Sequence, residues 1–390
     1  MAADVFSFFR GAAAVMAWDL AHAPHTDLYV QACGDAHMMN FGVYAAPSRE
    51  LVFDANDFDE TLPGPWEFDL KRLTVSLVVA AQSAGFDAAQ AESAVRNSVR
   101  SYRRNIVEYG SAPDLAVWYS RIRMDDVQRL AAGDDDLAQG VDRVLHKAAA
   151  NTAERAYARM VDVVGDTVRF RSDPPTLVRI DDLPAELAGS VAANVGDFRH
   201  YVRSLPEHLR VLMGRYELVD AARKVVGVGS VGTQDYVVLL RGRRLGDPLI
   251  LQIKQAVRSV HEDHLRASRY RSPGARIVAG QYLVQSATDP FLGWFNAQAG
   301  TSFYVRQFRD AKGGLDLARM TPKVLDAYGA LCAWVLGRAH ARSGDSLAIK
   351  GYLGGGRSFE DAMVNYSFAY AEQNLADYQR FCAADASEAR

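Results

Sequence analysis

Apolar residues along this chain change their spacing twice. Over residues 5–21 they recur at helical intervals, and a short strand-like run follows at 28–32. Two extended runs, 43–45 and 51–53, flank a Pro-Ser turn and predict a hairpin. Residues 68–106 read as helix, with Leu70, Leu73, Leu77 and Val78 on one stripe. Helical patterning continues over 115–130 and 137–163, gives way to an extended stretch at 168–180 broken by Pro174-Pro175, and returns at 198–216. The period then shortens: 224–228, 236–240 and 249–254 are runs rich in Val, Ile and Leu. A helix is expected over 257–270 and two more strands near 277–284 and 302–308, before helical spacing resumes at 324–342 and 359–381. The pattern predicts an α+β chain in which a five-stranded antiparallel sheet with one packed helix interrupts a mostly helical body.

Composition narrows the function classes. A chain of 390 residues with 49% hydrophobic positions can bury a large core and has room for two or three folding units. Lys and Arg number 44 against 47 Asp and Glu, a near-balance that argues against a nucleic-acid binder working by bulk charge. The cysteines, Cys33, Cys332 and Cys382, are too scattered for a disulfide framework or a zinc knuckle and suit a reducing, cytoplasmic setting. No apolar run approaches the roughly 18 residues of a membrane span, and Met1-Ala2-Ala3-Asp4 lacks the basic start of a secretory signal. The acidic run Asp134-Asp135-Asp136 reads as a solvated helix start.

Three motifs carry candidate chemistry. Gly227-Val228-Gly229-Ser230-Val231-Gly232 matches G-x-G-x-x-G, but a strand rather than a helix follows it. That setting suits a flap over ATP phosphates better than a dinucleotide fingerprint, with a plain hairpin turn as the alternative. Glycines in such a loop let backbone N–H groups approach phosphate oxygens. Lys254 ends the apolar strand that follows, where an ammonium group would neutralise the α- and β-phosphates; a strand lysine can equally be a snorkelling edge residue. The third motif is Asp35-x-x-x-x-Asn40 followed, 17 residues after Asn40, by Asp57-Phe58-Asp59. The first spacing is that of a kinase catalytic loop, with Asp35 accepting the acceptor's hydroxyl proton and Asn40 and Asp57 holding magnesium beside ATP. A surface turn rich in Asp and Asn is the rival for either half taken alone.

Gly34-Asp35-Ala36-His37-Met38-Met39-Asn40 with Asp57-Phe58-Asp59 resembles the catalytic core of aminoglycoside and choline-type phosphotransferases. Their pattern is His-Gly-Asp-x-His-x-x-Asn and then Ile-Asp-Phe-Asp. Cys33 stands at the first His position, a departure that bears on loop shape more than on chemistry. In Trp66-Glu67-Phe68-Asp69-Leu70, Asp69 resembles the aspartate that braces the catalytic loop in that superfamily. Over nearly its whole length the chain is similar to the bacterial domain-of-unknown-function 2252 family, through Phe8-Phe9-Arg10-Gly11, Cys33–His37, Asn56–Glu60, Val225–Gly232, Phe303–Gln307 and Arg338–Asp345. The resemblance implies a kinase-like fold and leaves the substrate open. It also suggests a start later than in relatives. Relatives carry a glutamate just after the lysine, where this chain has Gln255.

The expectation is a two-lobed, protein-kinase-like fold in circularly permuted order, since the catalytic loop and metal aspartate precede the glycine loop and lysine. New ends at a domain surface make such an order physically permissible. The large lobe would comprise 1–215 and 313–390, and the small nucleotide-binding lobe 216–312. Glu262 is the expected acidic partner of Lys254, and residues 85–215 would shape the acceptor pocket. ATP and magnesium are the expected cofactors of γ-phosphoryl transfer to a hydroxyl-bearing small molecule or protein. The alternatives are a nucleotide-binding pseudokinase, a nucleotidyltransferase, or a metal-dependent hydrolase on His37, Asp54, Asp57 and Asp59. Arg10 and Arg306 read as packing or salt-bridge residues, Lys71 and Arg72 as a solvated face, His340 as a helix-end residue, and Trp118 and Trp334 as core.

Overall fold

The structure is a computed structural model describing residues 1–165, 167–224, 233–243, 247–298, 300–308 and 311–388. Its strands are β1 (Tyr29–Ala32), β2 (Phe41–Ala45), β3 (Leu51–Ala55), β4 (Leu62–Pro65), β5 (Val161–Val164), β6 (Thr167–Phe170), β7 (Leu177–Arg179), β8 (Glu217–Lys224), β9 (Asp235–Arg241), β10 (Pro248–Ala256), β11 (Gly293–Asn296) and β12 (Ser302–Gln307). The fold is α+β, built on an antiparallel sheet of six strands in the order β11-β12-β10-β9-β8-β7. The sequence led to five, of which the runs at 236–240, 249–254 and 302–308 fall on β9, β10 and β12, while β11 and the short edge strand β7 were not expected in the sheet. β7 is paired from Leu177↔Lys224 to Arg179↔Ala222. Its partner lies some 45 residues on, and local patterning carries no sign of a pairing that distant.

Alternation along β9 explains why both faces of this sheet are covered. Tyr236, Val238 and Leu240 point into a cluster with Val191, Phe198, Tyr201 and Leu209, from the helices Ala185–Gly196, Arg199–Ser204 and Glu207–Met213. Val237 and Leu239 point the other way, against Ala156, Val161 and Phe170. Residues 153–213 therefore pack on the sheet, and the boundary expected at 216 falls inside this unit.

The expected strand at 277–284 is a helix, Pro273–Val284. Ser272 caps it by accepting from the Ala275 N–H, and Pro273 occupies the first turn, where no N–H is needed. The helix is wedged between sheet and helical body, so most of its circumference is buried and its apolar pattern has no polar face to reveal a helical period. Residues 257–270, expected as helix, hold only the single 3-10 turn Val260–Asp263.

The helical body is built around Trp66–Ser83, Ala88–Tyr109 and Pro322–Ser343, with Arg357–Glu388 packed alongside. Leu73, Leu77, Val95, Val99, Tyr102, Leu325 and Leu336 belong to its core. Gly329 permits the close approach of two of these helices, because a Cβ there would lie 2.5 Å from Ser98 Oγ. No helix among the described residues is long and apolar enough to cross a membrane.

Two small ladders position the site. β1 pairs with β4, ending at Ala32↔Leu62, and β2 pairs with β3, starting at Phe41↔Ala55. The loop 33–40 joins β1 to β2 and the loop 56–61 joins β3 to β4. Both loops are thus pinned at both ends and brought side by side.

Candidate active site

The loop after β1 is held by its backbone. Asp69, buried in the first turn of the Trp66–Ser83 helix, accepts from the N–H groups of Cys33 (2.7 Å) and Gly34 (3.0 Å). Asp69 is held in turn by His340 Nε2 at 3.3 Å, and the other ring nitrogen of His340 lies 2.8 Å from the Tyr102 hydroxyl. This geometry fits Nε2–H donating to the carboxylate and Nδ1 accepting the phenol proton. His340 is therefore a fully buried structural partner of Asp69 rather than a helix-end charge. On the other side, His261 Nε2 meets the Gly34 carbonyl at 2.7 Å.

Gly34 has φ +84°, and a Cβ on it would lie 2.1 Å from the Glu60 carbonyl oxygen. Both the left-handed backbone and the close approach require glycine. Gly34→Ala is expected to cost roughly 2 kcal/mol or more, since either strain alone is worth about 1–3 kcal/mol. Urea unfolding measures this, and a variant as stable as the parent would contradict the described loop.

Asp35 sits at the centre of the loop. Its Oδ1 accepts from Arg72 Nε at 2.8 Å, its Oδ2 lies 3.7 Å from His37 Nε2, and Asn40 Nδ2 donates to the Asp35 carbonyl at 2.8 Å. Arg72 is no solvated-face residue. It is buried, its Nη2 donates to the Phe9 carbonyl at 2.8 Å, and its guanidinium lies 3.9 Å from the Phe9 ring centre. Burial pushes the Asp35 carboxyl up, but the Arg72 charge and the Arg72 hydrogen bond outweigh it and hold the group below its ordinary value. Burial lowers His37 to about 4, with Arg72 and Arg10 adding to the effect against Asp35, so the imidazole is neutral at pH 7.

The second loop meets the sheet. Lys254 Nζ donates to Asp59 Oδ2 at 2.8 Å, and the Tyr304 hydroxyl donates to Asp59 Oδ1 at 2.8 Å. The expected partner, Glu262, is elsewhere: it caps the 3-10 turn through the Ser259 N–H at 3.2 Å and lies 3.5 Å from Arg276 Nε. The short spacing from Lys254 leaves no helix on which Glu262 could reach back. Burial works against the charge on Lys254, yet Asp59 raises its pKa well above the ordinary value. Asp57 is likewise held ionised against burial, by Lys254 and Arg306. Its Oδ1 is buried and has no hydrogen-bond partner. Arg306, read from sequence as a packing residue, donates to the Asn56 carbonyl (3.2 Å) beside this group.

Asp235 and Lys312 were not among the residues the sequence pattern pointed to. Asp235 faces Lys254 across the β9–β10 register, is 2% exposed, and has no partner for either carboxylate oxygen. Burial lifts its pKa to about 6, against the pull of Lys254. Lys312 is lowered to about 7 by burial, with Arg306 adding to the effect. A signal for Asp235 was present in principle, as an acidic residue opening an otherwise apolar strand.

Glu60 offers a pH test of the junction between the loops and the sheet. Its Oε2 accepts from the Val260 N–H at 2.7 Å, and burial raises its pKa from 4.5 to about 7. The folded state therefore holds a proton that the unfolded chain releases. The stability tied to this group is complete below about pH 4.5 and is lost as the pH rises through about 7. Glu60→Gln, which keeps an acceptor for Val260, should flatten the fall in stability between about pH 5 and pH 8, read by urea midpoints across that range.

The structure thus brings Asp35, Asn40, Asp57 and Lys254 into one neighbourhood and leaves Glu262 outside it. Gly227, Gly229, Ser230 and Gly232 lie outside the described residues. Among the described residues, no group of three or more His, Cys, Asp or Glu is arranged to hold a metal. The four-residue hydrolase set does not converge: Asp54 is spent on Arg338 and Ser286, and Asp59 on Lys254 and Tyr304. A pair of oxygens completed by phosphates fits better. Asp57 Oδ1 is an orphaned acceptor, and Asn40 commits its amide nitrogen to Asp35, leaving its oxygen for a cation. Trp118 is not core; it is 43% exposed beneath the Arg342 guanidinium.

Fold and site together define an α+β protein in which two loops, pinned by small ladders, set acidic side chains against a lysine of a six-stranded antiparallel sheet. The model of the bacterial domain-of-unknown-function 2252 family, described as an uncharacterized protein conserved in bacteria, matches residues 1–384. The chain belongs to that family. No curated protein and no solved structure matches it.

Proposed function

We propose that this chain is an ATP-dependent phosphotransferase with a circularly permuted kinase-like order, moving the γ-phosphoryl group to a hydroxyl-bearing acceptor. One observation carries the reading. Lys254 and the Asp57–Asp59 segment, about 195 residues apart in sequence, meet at a part-buried ion pair beside a buried Asp57 oxygen that has no partner among the described residues. Such a partnerless buried acceptor is costly unless a ligand completes it.

In this reading Asp35, kept ionised by Arg72, orients the acceptor hydroxyl and takes its proton. Asn40 and Asp57 would hold magnesium, which supplies charge neutralisation on the phosphates. Lys254 would exchange Asp59 for phosphate oxygens, and the cover over them is assigned to residues 227–232 on their sequence alone. The chain's work is positioning and fixed charge, which suffices for phosphoryl transfer. Free cysteines and the need for cellular ATP suit a cytoplasmic setting.

The test is a thermal-shift panel of nucleotides with magnesium, followed by γ- and α-labelled ATP with a set of acceptors. A magnesium-dependent nucleotide shift and movement of the γ label are expected. Movement of the α label would make the chain a nucleotidyltransferase, and binding with neither label moving would make it a regulator. Stabilisation by metal with no nucleotide effect would overturn the reading.

A further inference from the structure

A cavity of about 300 Å³ lies between the β2–β3 hairpin, the Pro273–Val284 helix and the end of β12, and the proposed transfer chemistry does not use it. We infer that this cavity is a phosphate-group site, with Lys312 and Arg306 as its cations. Three of its neutral lining residues have already used a side-chain donor. The Tyr44 hydroxyl donates to the Ala287 carbonyl at 2.8 Å, Gln281 Nε2 to Gln285 Oε1 at 2.8 Å, and Gln285 Nε2 to the Ala55 carbonyl at 2.7 Å.

The cations differ. Lys312 forms no hydrogen bond or ion pair through its ammonium group with any described residue. Among the described residues Arg306 donates only to neutral acceptors, Gln252 Oε1 and the Asn56 carbonyl, each at 3.2 Å. The carboxylates that act on Lys312 through space are Asp57 and Asp289. Asp289 is already engaged by the backbone N–H groups of Phe291 (2.8 Å) and Gln307 (2.5 Å). The side-chain amide of Asn56, which makes no hydrogen bond with a described residue, adds a neutral donor at the same wall.

Asp57 acts on both cations through space, but neither makes a direct ion pair with a described carboxylate, and a fold keeps such cations where an anion binds. A ligand with several acceptor oxygens and two negative charges answers this set of donors; a sugar or a base, needing acceptors and donors in alternation, does not. The cavity is at the small end for ligand sites, so the phosphate arrives bare or on a small carrier, or as the tail of a nucleotide reaching in past Asn56.

The site stands apart from the transfer reaction and is tested without it. Calorimetric titration of the full chain with inorganic phosphate, and separately with magnesium-free ATP, is compared across the parent, Lys312→Met and Lys312→Gln. At least one of the two ligands should bind the parent, with affinity falling tenfold or more in both variants. The melting midpoints of the unliganded variants should equal or exceed the parent's, because an ammonium of a half-buried lysine with no ion-pair partner among the described residues has been removed. If phosphate binds and competes with ATP, or ATP alone binds, the nucleotide tail is the source; if both bind together, the phosphate belongs to a separate molecule. Binding of neither ligand, undiminished affinity in both variants, or an equal Lys312-dependent response to chloride at matched ionic strength would overturn the assignment.

Discussion

Asp57→Asn is expected to abolish phosphoryl transfer while leaving the protein folded. The substitution keeps shape and volume but removes the charge that Lys254 and Arg306 hold in place. It also leaves the buried Oδ1 position, which has no partner among the described residues, to a neutral amide. The magnesium-dependent part of the nucleotide thermal shift should vanish with the activity, whereas the magnesium-independent part should persist or grow, since one negative charge near the phosphates is gone. Asp35→Ala should behave differently, lowering turnover by about 10²–10⁴-fold, the usual worth of a general base, with nucleotide binding intact. Parent-like turnover in Asp57→Asn would remove the metal role, and parent-like turnover in Asp35→Ala the base role.

Arg338→Leu is expected to be the most damaging single change to stability, at about 3–5 kcal/mol for a buried pair that loses one partner. Arg338 Nη2 donates to Asp54 Oδ1 at 2.7 Å and to the Val284 carbonyl at 3.0 Å, with side-chain exposures of 1% for Arg338 and 0% for Asp54. Leucine would strand a carboxylate whose remaining donors to Oδ2 are the Ser286 N–H (2.8 Å) and hydroxyl (2.7 Å). The double variant Asp54→Asn/Arg338→Leu should recover a good part of the loss, because the charge needing a partner has also been removed. Urea unfolding of the two singles and the double closes the cycle. Additive losses would mean that the pair does not act as a unit.

Much of the site was legible because its chemistry is local. Asp35 and Asn40 share one loop, Asp57 follows a hairpin, and a short hairpin fixes its own register. The β2–β3 hairpin and the strands at 236–240 and 249–254 were likewise visible from alternation and β-branched content. What escaped depends on distant partners. Arg72 looks like one half of an exposed Lys-Arg pair, and only Phe9 and Asp35 folding over it make it a buried clamp. Lys254 takes Asp59, 195 residues away in sequence, rather than the nearby Glu262. The Pro273–Val284 helix was misread because its centre is apolar nearly all round; the Ser272-Pro273 start was the overlooked cue.

The support of the first loop has a consequence for how the chain is made. Asp54 waits for Arg338 and Asp69 for His340, separations of 284 and 271 residues. At a synthesis rate of about 5–20 residues per second, the segment bearing the Asp35 loop is made roughly 15–60 s before either partner exists. During that interval the two carboxylates lack the Arg338 and His340 donors, so the loop closes late, after most of these residues have emerged. Folding of the site is therefore tied to the arrival of the Pro322–Ser343 helix. A chain interrupted anywhere before residue 338 would carry the whole Asp35–Asp57 motif and still lack the frame that shapes it.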